Sequence, residues 1–196
     1  PRPARGQRRD PLAGGAPAAR VIGDVFARYF WNLERPRVAL ISVGAEVGKG
    51  NRQIRETTEL LEKSGLNFVG NVEAHKLAKG AVDVAVCDGF VGNIVMKLTE
   101  GIGEATDERL RDRLQGTMSA EEIESVAADI HQLTNVVEMT GGGPLFGVNG
   151  VTVVGHGSAN ATAVYRAIEV AKRAVDTGYV PRINQELEAI HAKLGE

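Results

Sequence analysis

The sequence predicts an α/β protein: a three-layer, mostly parallel sheet with helices on both faces, plus a helical hairpin that forms an arm. Three observations carry this. Short β-branched runs such as Val82–Val86 have the composition of buried strands. Each is followed at once by a glycine-containing turn and a segment of helical spacing, at Val82–Asn93 and again at Val151–Asn160. Strands and helices also alternate along the chain, which implies right-handed βαβ crossovers. In such sheets a helix start beside a strand's carboxyl end is the usual place for a site, and its unpaired N–H groups suit an anion. The two turns are expected to line one cleft.

Composition narrows the class. A chain of 196 residues, 43% hydrophobic, can bury one good core. A formal net charge of −2 offers no electrostatic footprint for nucleic acid. One cysteine excludes an internal disulfide and a cysteine-based zinc site, in keeping with a reducing cytoplasm. No apolar run approaches the roughly 20 residues of a membrane-spanning helix, and no apolar stretch of a signal peptide follows the first arginines.

Residues 1–20 carry Arg, Pro, Gly and Ala with few large apolar side chains, and are expected to be a disordered extension. A transit peptide, an upstream extension and a truncation scar are alternatives for it. Val21, Ile22, Val25, Phe26, Tyr29 and Phe30 recur at helical spacing and predict a helix over 17–31. Val38–Val43 reads as a buried parallel strand, Gly44–Asn51 as a loop, and Arg52–Lys63 as a helix stopped by Gly65. The loop falls short of a nucleotide-binding P-loop. Only Ala45, Glu46 and Val47 separate Gly44 from Gly48-Lys49, one residue too few, and Gly50 stands where a Ser or Thr for magnesium belongs. It reads either as a phosphate or carboxylate holder or as a tight turn with a solvated lysine.

Leu66–Val69 predicts a further strand ending at Gly70-Asn71-Val72-Glu73, and Glu73–Lys79 a short helix ended by Gly80. After the strand at 82–86 a helix is expected over Val91–Glu104. Leu110 and Leu114 mark another amphipathic helix, and Ser119-Ala120-Glu121-Glu122 is a capping-box pattern opening a helix with Ile123, Val126, Ile130 and Leu133 on one face. Gly116-Thr117 joins the two as the hairpin within 105–135. Gly141–Gly150 is a loop whose glycines permit unusual φ values or close backbone approach. Residues 151–154 read as a second strand of the same kind, followed by helices over Ala159–Asp176 and through Ile183, Leu187, Ile190 and Leu194.

Four stretches, in order, carry a family resemblance: Arg35–Asn51, Phe68–Glu73, Cys87–Asn93 with Lys97 and Glu100-Gly101, and Gly143–Gly150 running into Gly155–Asn160. The chain resembles the bacterial phosphate acyltransferases, which convert acyl carrier protein thioesters to acyl phosphates, over most of residues 21–180. The resemblance implies an isocitrate/isopropylmalate dehydrogenase-like fold for residues 21–196, as the carboxyl-terminal part of the family pattern. Nothing in the chain corresponds to the family's amino-terminal half. The arm, often strongly apolar in the family, is rich in Arg, Asp and Glu here. Implied partners are acyl carrier protein thioester, inorganic phosphate, a second copy in a homodimer, and a membrane-bound glycerol-3-phosphate acyltransferase. The implied setting is the cytoplasm, peripheral to the membrane. No cofactor is implied, because phosphopantetheine arrives with the carrier.

The implied reaction is attack of phosphate on a thioester carbonyl, so phosphate must be aimed, an oxyanion stabilised and a thiolate released. Phosphate is assigned to Lys49 and the N–H groups of Gly48, Gly50 and Asn51, by loop position and charge. His156, Ser158 and Asn160 are the oxyanion candidates. Asp88 and Asn93 are expected to orient a lysine or the bound phosphate, with Asn71 and Glu73 on the same edge. His156, Asp88 and Asn160 are the catalytic candidates. Asp88 reads equally as a cap of the following helix, and Cys87 reads as inert packing rather than a nucleophile. Glu46 is expected to brace the loop. No His, Cys and carboxylate cluster has metal-ligand spacing, so no metal is expected. Two rival functions stay open: phosphate transfer from a small acyl-coenzyme A, and a non-catalytic relative that binds the carrier or a partner acyltransferase.

Overall fold

The structure, a computed structural model, describes residues 16–135, 141–146, 148, 150–155, 157 and 159–194, with the backbone alone for 16–20 and 190–194. Most of the expected extension at 1–20 therefore lies outside the described residues. The chain divides into two compact units. The first holds the described residues up to Cys87, Phe146–Gly150 and those from Thr177 on; the second holds Asp88–Leu145 and Val151–Asp176.

The first unit is built on a three-stranded parallel sheet. β1 (Val38–Ile41) is central, and β2 (Phe68–Val72) and β3 (Val84–Val86) flank it in the order β2-β1-β3. Helix α2 (Arg52–Glu62) makes the crossover from β1 to β2, and a 3-10 helix (Ala74–Lys79) leads on to β3. Val38 and Leu40 of β1, Val86 of β3 and Leu61 of α2 form the core, with Ile54, Leu66, Phe68 and Val84 packed around them. The α/β class, the parallel sense and the flanking helices follow the sequence reading.

β2 lies further along the chain than expected. Val38 pairs with Phe68, but Leu40 pairs with Asn71, so one extra residue enters the β2 side of the ladder. Gly70, at φ +93°, takes that bend. Asn71 and Val72 then rejoin the ladder, where the sequence suggested the strand was ending.

Helix α1 (Ala16–Phe30) packs on β3 through a glycine: a Cβ on Gly23 would stand 2.7 Å from Val84 Cγ1. Its buried Val21, Val25, Ala27 and Phe30 share a core with Tyr179, Ile183 and Leu187 of the last helix, α6 (Tyr179–Leu194), once α5 (Ala161–Thr177) has passed. Phe146 joins this core edge-on, 5.7 Å from Phe26 and 6.0 Å from Tyr179. Arg28 bridges Asp24 on α1 (2.8 Å) and Glu186 on α6 (3.0 Å). Burial pushes the Asp24 carboxyl up, with Arg28 opposing the shift.

In the second unit α3 (Gly89–Leu114) is one helix of 26 residues, where two were expected. Gly101 and Gly103 do not break it, because Gly103 is buried against α4 (Ala120–Thr134). Gly116 (φ +84°) turns the chain between the helices, and Ser119 and Glu122 form the full capping box. Arg111 of α3 binds Asp107 one turn back and grips Glu124 of α4 with both terminal nitrogens.

The expected second parallel strand takes another form. β5 is only Val153–Val154, and it pairs antiparallel with β4 (Gly143–Pro144). Gly142 allows this close approach, since a Cβ there would lie 2.4 Å from the Val154 carbonyl oxygen. Val154 is half exposed, so the run does not read out as a buried strand. Residues 136–140 lie outside the description.

Candidate functional site

At the carboxyl end of β1 the chain turns through Gly44–Asn51 into α2. Gly48 and Gly50 have φ of +85° and +100°, conformations that L side chains rarely adopt. Asn51 is the N-cap of α2: its Oδ1 accepts the Ile54 N–H at 2.9 Å. With Oδ1 held there, the Nδ2 hydrogens are what this side chain can offer a ligand. The first N–H groups of α2 have no intrahelical acceptor, and Arg55 Nη1 donates to the Gly50 carbonyl at 2.7 Å, securing the base of the turn. Glu46 folds back over the loop, its Oε2 2.7 Å from where a Gly44 Cβ would be, and its carbonyl accepts the Lys49 N–H at 3.2 Å. Lys49 is exposed.

Asn71 stands at the carboxyl end of β2, where its Oδ1 lies 3.5 Å from Thr58 Oγ1 of α2. Gly48, Lys49, Gly50, Asn51 and Asn71 thus belong to one end of one sheet, in the first unit. The loop combines a cation, first-turn N–H donors and an amide, which is the chemistry of an oxyanion holder.

Asp88, Asn93 and Asn160 belong to the second unit. Asp88 caps α3, with Oδ1 accepting the N–H groups of Phe90 and Val91, both at 2.9 Å. Asn93 is exposed on the same helix. Asn160 caps α5 through Oδ1 and the Ala163 N–H at 2.9 Å, which again leaves Nδ2 as the donor. Three of the sequence-named residues therefore share one local role, closing a helix start. His156 and Ser158 lie outside the described residues.

One cavity with several charged side chains on its wall escaped the sequence reading. It lies between α3 and α4, about 310 Å³, and is lined by Glu100, Glu104, Asp107, Arg111, Glu124 and His131 among others. Arg111 holds the Glu124 carboxyl below its usual range. No sequence-named site residue lines this cavity. The only signal was the charge density of 105–135.

Comparison with known proteins is decisive for the family. Residues 18–182 match the family described as "Fatty acid synthesis protein". The chain belongs to this family. Among relatives, the phosphate acyltransferase of Desulfitobacterium hafniense (strain DSM 10664 / DCB-2) is 38% identical over 172 residues, covering 85% of this chain and 51% of its own length. That of Desulforamulus reducens is 40% identical over 171 residues, covering 86% and 51%. That of Acidobacterium capsulatum is 41% identical over 172 residues, covering 86% and 50%. This member of the fatty acid synthesis protein family thus spans about half the length of the curated relatives it matches. Among the described residues no helix is long and apolar enough to cross a membrane.

Proposed function

We propose that this chain forms part of a phosphate acyltransferase that moves a fatty acyl group from acyl carrier protein to inorganic phosphate, giving acyl phosphate for phospholipid synthesis. What supports the reading is the β1–α2 turn, which carries Lys49, two positive-φ glycines and the helix-capping Asn51 at the carboxyl end of β1, in a chain whose relatives are named phosphate acyltransferase. In this reading a phosphate oxygen held at Gly48–Asn51 attacks the thioester carbonyl carbon. A C–O bond forms and the carbonyl oxygen becomes an oxyanion, whose electron pair then re-forms the carbonyl as the C–S bond breaks. The carrier leaves as thiolate and takes a proton from solvent.

His156, Ser158 and the Nδ2 of Asn160 are assigned to the oxyanion, and Asp88 and Asn93 to orientation at the start of α3. Each oxyanion donor of this kind is worth on the order of 10²–10³ in rate. The fold proposed for the working enzyme is the three-layer isopropylmalate dehydrogenase-like one, with the α3–α4 hairpin as an arm of a homodimer and a membrane-bound acyltransferase as the consumer of product.

The test is acyl phosphate trapped with hydroxylamine from acyl carrier protein thioester and phosphate. Product from this chain supports the reading, and product only from short acyl-coenzyme A would replace it. A second reading is a binding relative that holds the carrier without turnover. Stable carrier binding with no product would favour that reading.

A further inference from the structure

Ser42 is the first residue past β1. Its N–H donates to the Val72 carbonyl at 3.0 Å, so its backbone still runs in the ladder with β2. Its hydroxyl is in a different position. Ser42 Oγ exposes less than 1 Å² and has no hydrogen-bond partner among the described residues. Buried hydroxyls are nearly always paired, so an orphan of this kind asks for a specific account.

The neighbours show what it faces. A Cβ on Gly50 would stand 3.0 Å from Ser42 Oγ, and 2.7 Å and 2.8 Å from Cγ2 and Cβ of Ile54. The hydroxyl lies beneath the turn that leads from Lys49 into α2, against Gly50 at φ +100°. Gly48, at φ +85°, gives the same turn a second pivot with open space around it. A buried hydroxyl without a partner thus adjoins a turn built on two positive-φ glycines.

We propose that Ser42 is a positioning residue for phosphate: its hydroxyl pairs with the backbone of the Gly48–Asn51 turn when that turn closes on the anion, and so aims the turn's N–H groups. This rests on the phosphate site of the preceding section. Ser42 acts through the turn, since Oγ has no surface that a ligand could touch. An unpaired hydroxyl disfavours the turn conformation described here relative to one in which it is paired, and that difference adds to phosphate affinity. Removing the hydroxyl should therefore leave the protein as stable or more so, while weakening phosphate binding.

The experiment is thermal unfolding of the full chain against inorganic phosphate, for wild type, Ser42→Ala, Ser42→Thr and Lys49→Ala. Ser42→Ala is expected to match or exceed the wild-type Tm without phosphate. Its half-saturating phosphate should rise by about fivefold to tenfold, the change carried by one ordinary hydrogen bond. Ser42→Thr, which keeps the hydroxyl, should restore the wild-type response. Unchanged half-saturating phosphate in Ser42→Ala would overturn the proposal, as would a lower Tm without phosphate, the mark of a merely structural hydroxyl. A wild-type response abolished by Lys49→Ala but kept in Ser42→Ala sinks the Ser42 role alone. No response in the wild type sinks the phosphate site and the Ser42 role together.

Discussion

Gly103 on α3 lies directly against Thr134 on α4: a Cβ on the glycine would stand 2.1 Å from Thr134 Oγ1 and 2.6 Å from its Cβ. Thr134 is held in that place, donating its hydroxyl to the Ile130 carbonyl at 2.8 Å. At this point the two helices of the hairpin therefore approach through small side chains. Gly103→Ala should destabilise the second unit by about 1–2 kcal/mol, overpacking outweighing the gain in helix propensity. Urea unfolding of Gly103→Ala, Thr134→Ala and the double variant tests this, and the double variant should be less impaired than the two single losses added together.

The cap at Asn51 separates structure from binding. Asn51→Ala should cost about 1 kcal/mol of stability. Asn51→Asp keeps a capping oxygen, so its stability should stay near wild type. It loses the Nδ2 donor and adds a negative charge at the proposed phosphate turn, so phosphate affinity should fall in that variant if the turn holds the anion. Equal phosphate response in Asn51→Asp and wild type would remove Asn51 from the site.

Asp88 admits the same dissection. Asp88→Asn preserves an oxygen for the Phe90 and Val91 N–H groups while removing the charge and turning the second oxygen into an NH2 donor. A drop in acyl phosphate formation with unchanged Tm assigns the carboxylate to chemistry, whereas full activity assigns it to the cap alone.

The two pivots of the β1–α2 turn should respond differently. Alanine at Gly48 meets open space and costs about 1–2 kcal/mol of left-handed strain. Alanine at Gly50 adds contacts with Ile54 and Ser42 to the same strain. A larger fall in Tm for Gly50→Ala than for Gly48→Ala is expected.

Arg37 ties the start of β1 to the start of β3. Its backbone N–H (2.7 Å) and Nε (3.0 Å) both donate to Asp83 Oδ2, while Nη2 reaches Oδ1 at 2.8 Å. Hydrogen bonds from Arg37 hold the Asp83 carboxyl below its usual range. A depressed carboxylate contributes stability above its unfolded pKa of about 3.9 and loses it as pH falls through the lower folded value. Asp83→Asn should lower the urea midpoint at pH 7, and the gap to wild type should narrow as the pH drops below about 4.

Local signals in the sequence translated well where one residue decides the geometry. Ser119 and Glu122 announced the start of α4, and Gly80 and Gly116 the turns they make. The misses share a cause, which is that a partner distant in sequence overrides a local preference. Two helices were expected over 91–114, but α3 runs through as one, with Gly103 packed against Thr134. Gly70 suggested a strand end but takes a bulge that Leu40 and Ile41 complete. Val151–Val154 had strand composition, yet Gly142 brings β4 against it from the other direction. At the candidate site, Lys49 and its glycines were legible as loop chemistry, whereas the orphan hydroxyl of Ser42 follows only from tertiary burial. The capping roles of Asn51 and Asn160 needed the helix starts to be located.

The route of the chain through the first unit has a consequence for synthesis. α1 is among the first described elements to leave the ribosome, yet its buried face is covered by Tyr179, Ile183 and Leu187, which emerge among the last. Phe146 joins the same core from the middle of the chain. The part of the apolar stripe of α1 that faces Tyr179, Ile183 and Leu187 must therefore wait for that partner while all of the second unit is translated, even though Gly23 can already dock on β3. Such a waiting stripe is a natural client for a holding chaperone. Stalled nascent chains ending before Tyr179 should be more readily captured or cleaved near α1 than chains extending past Leu187.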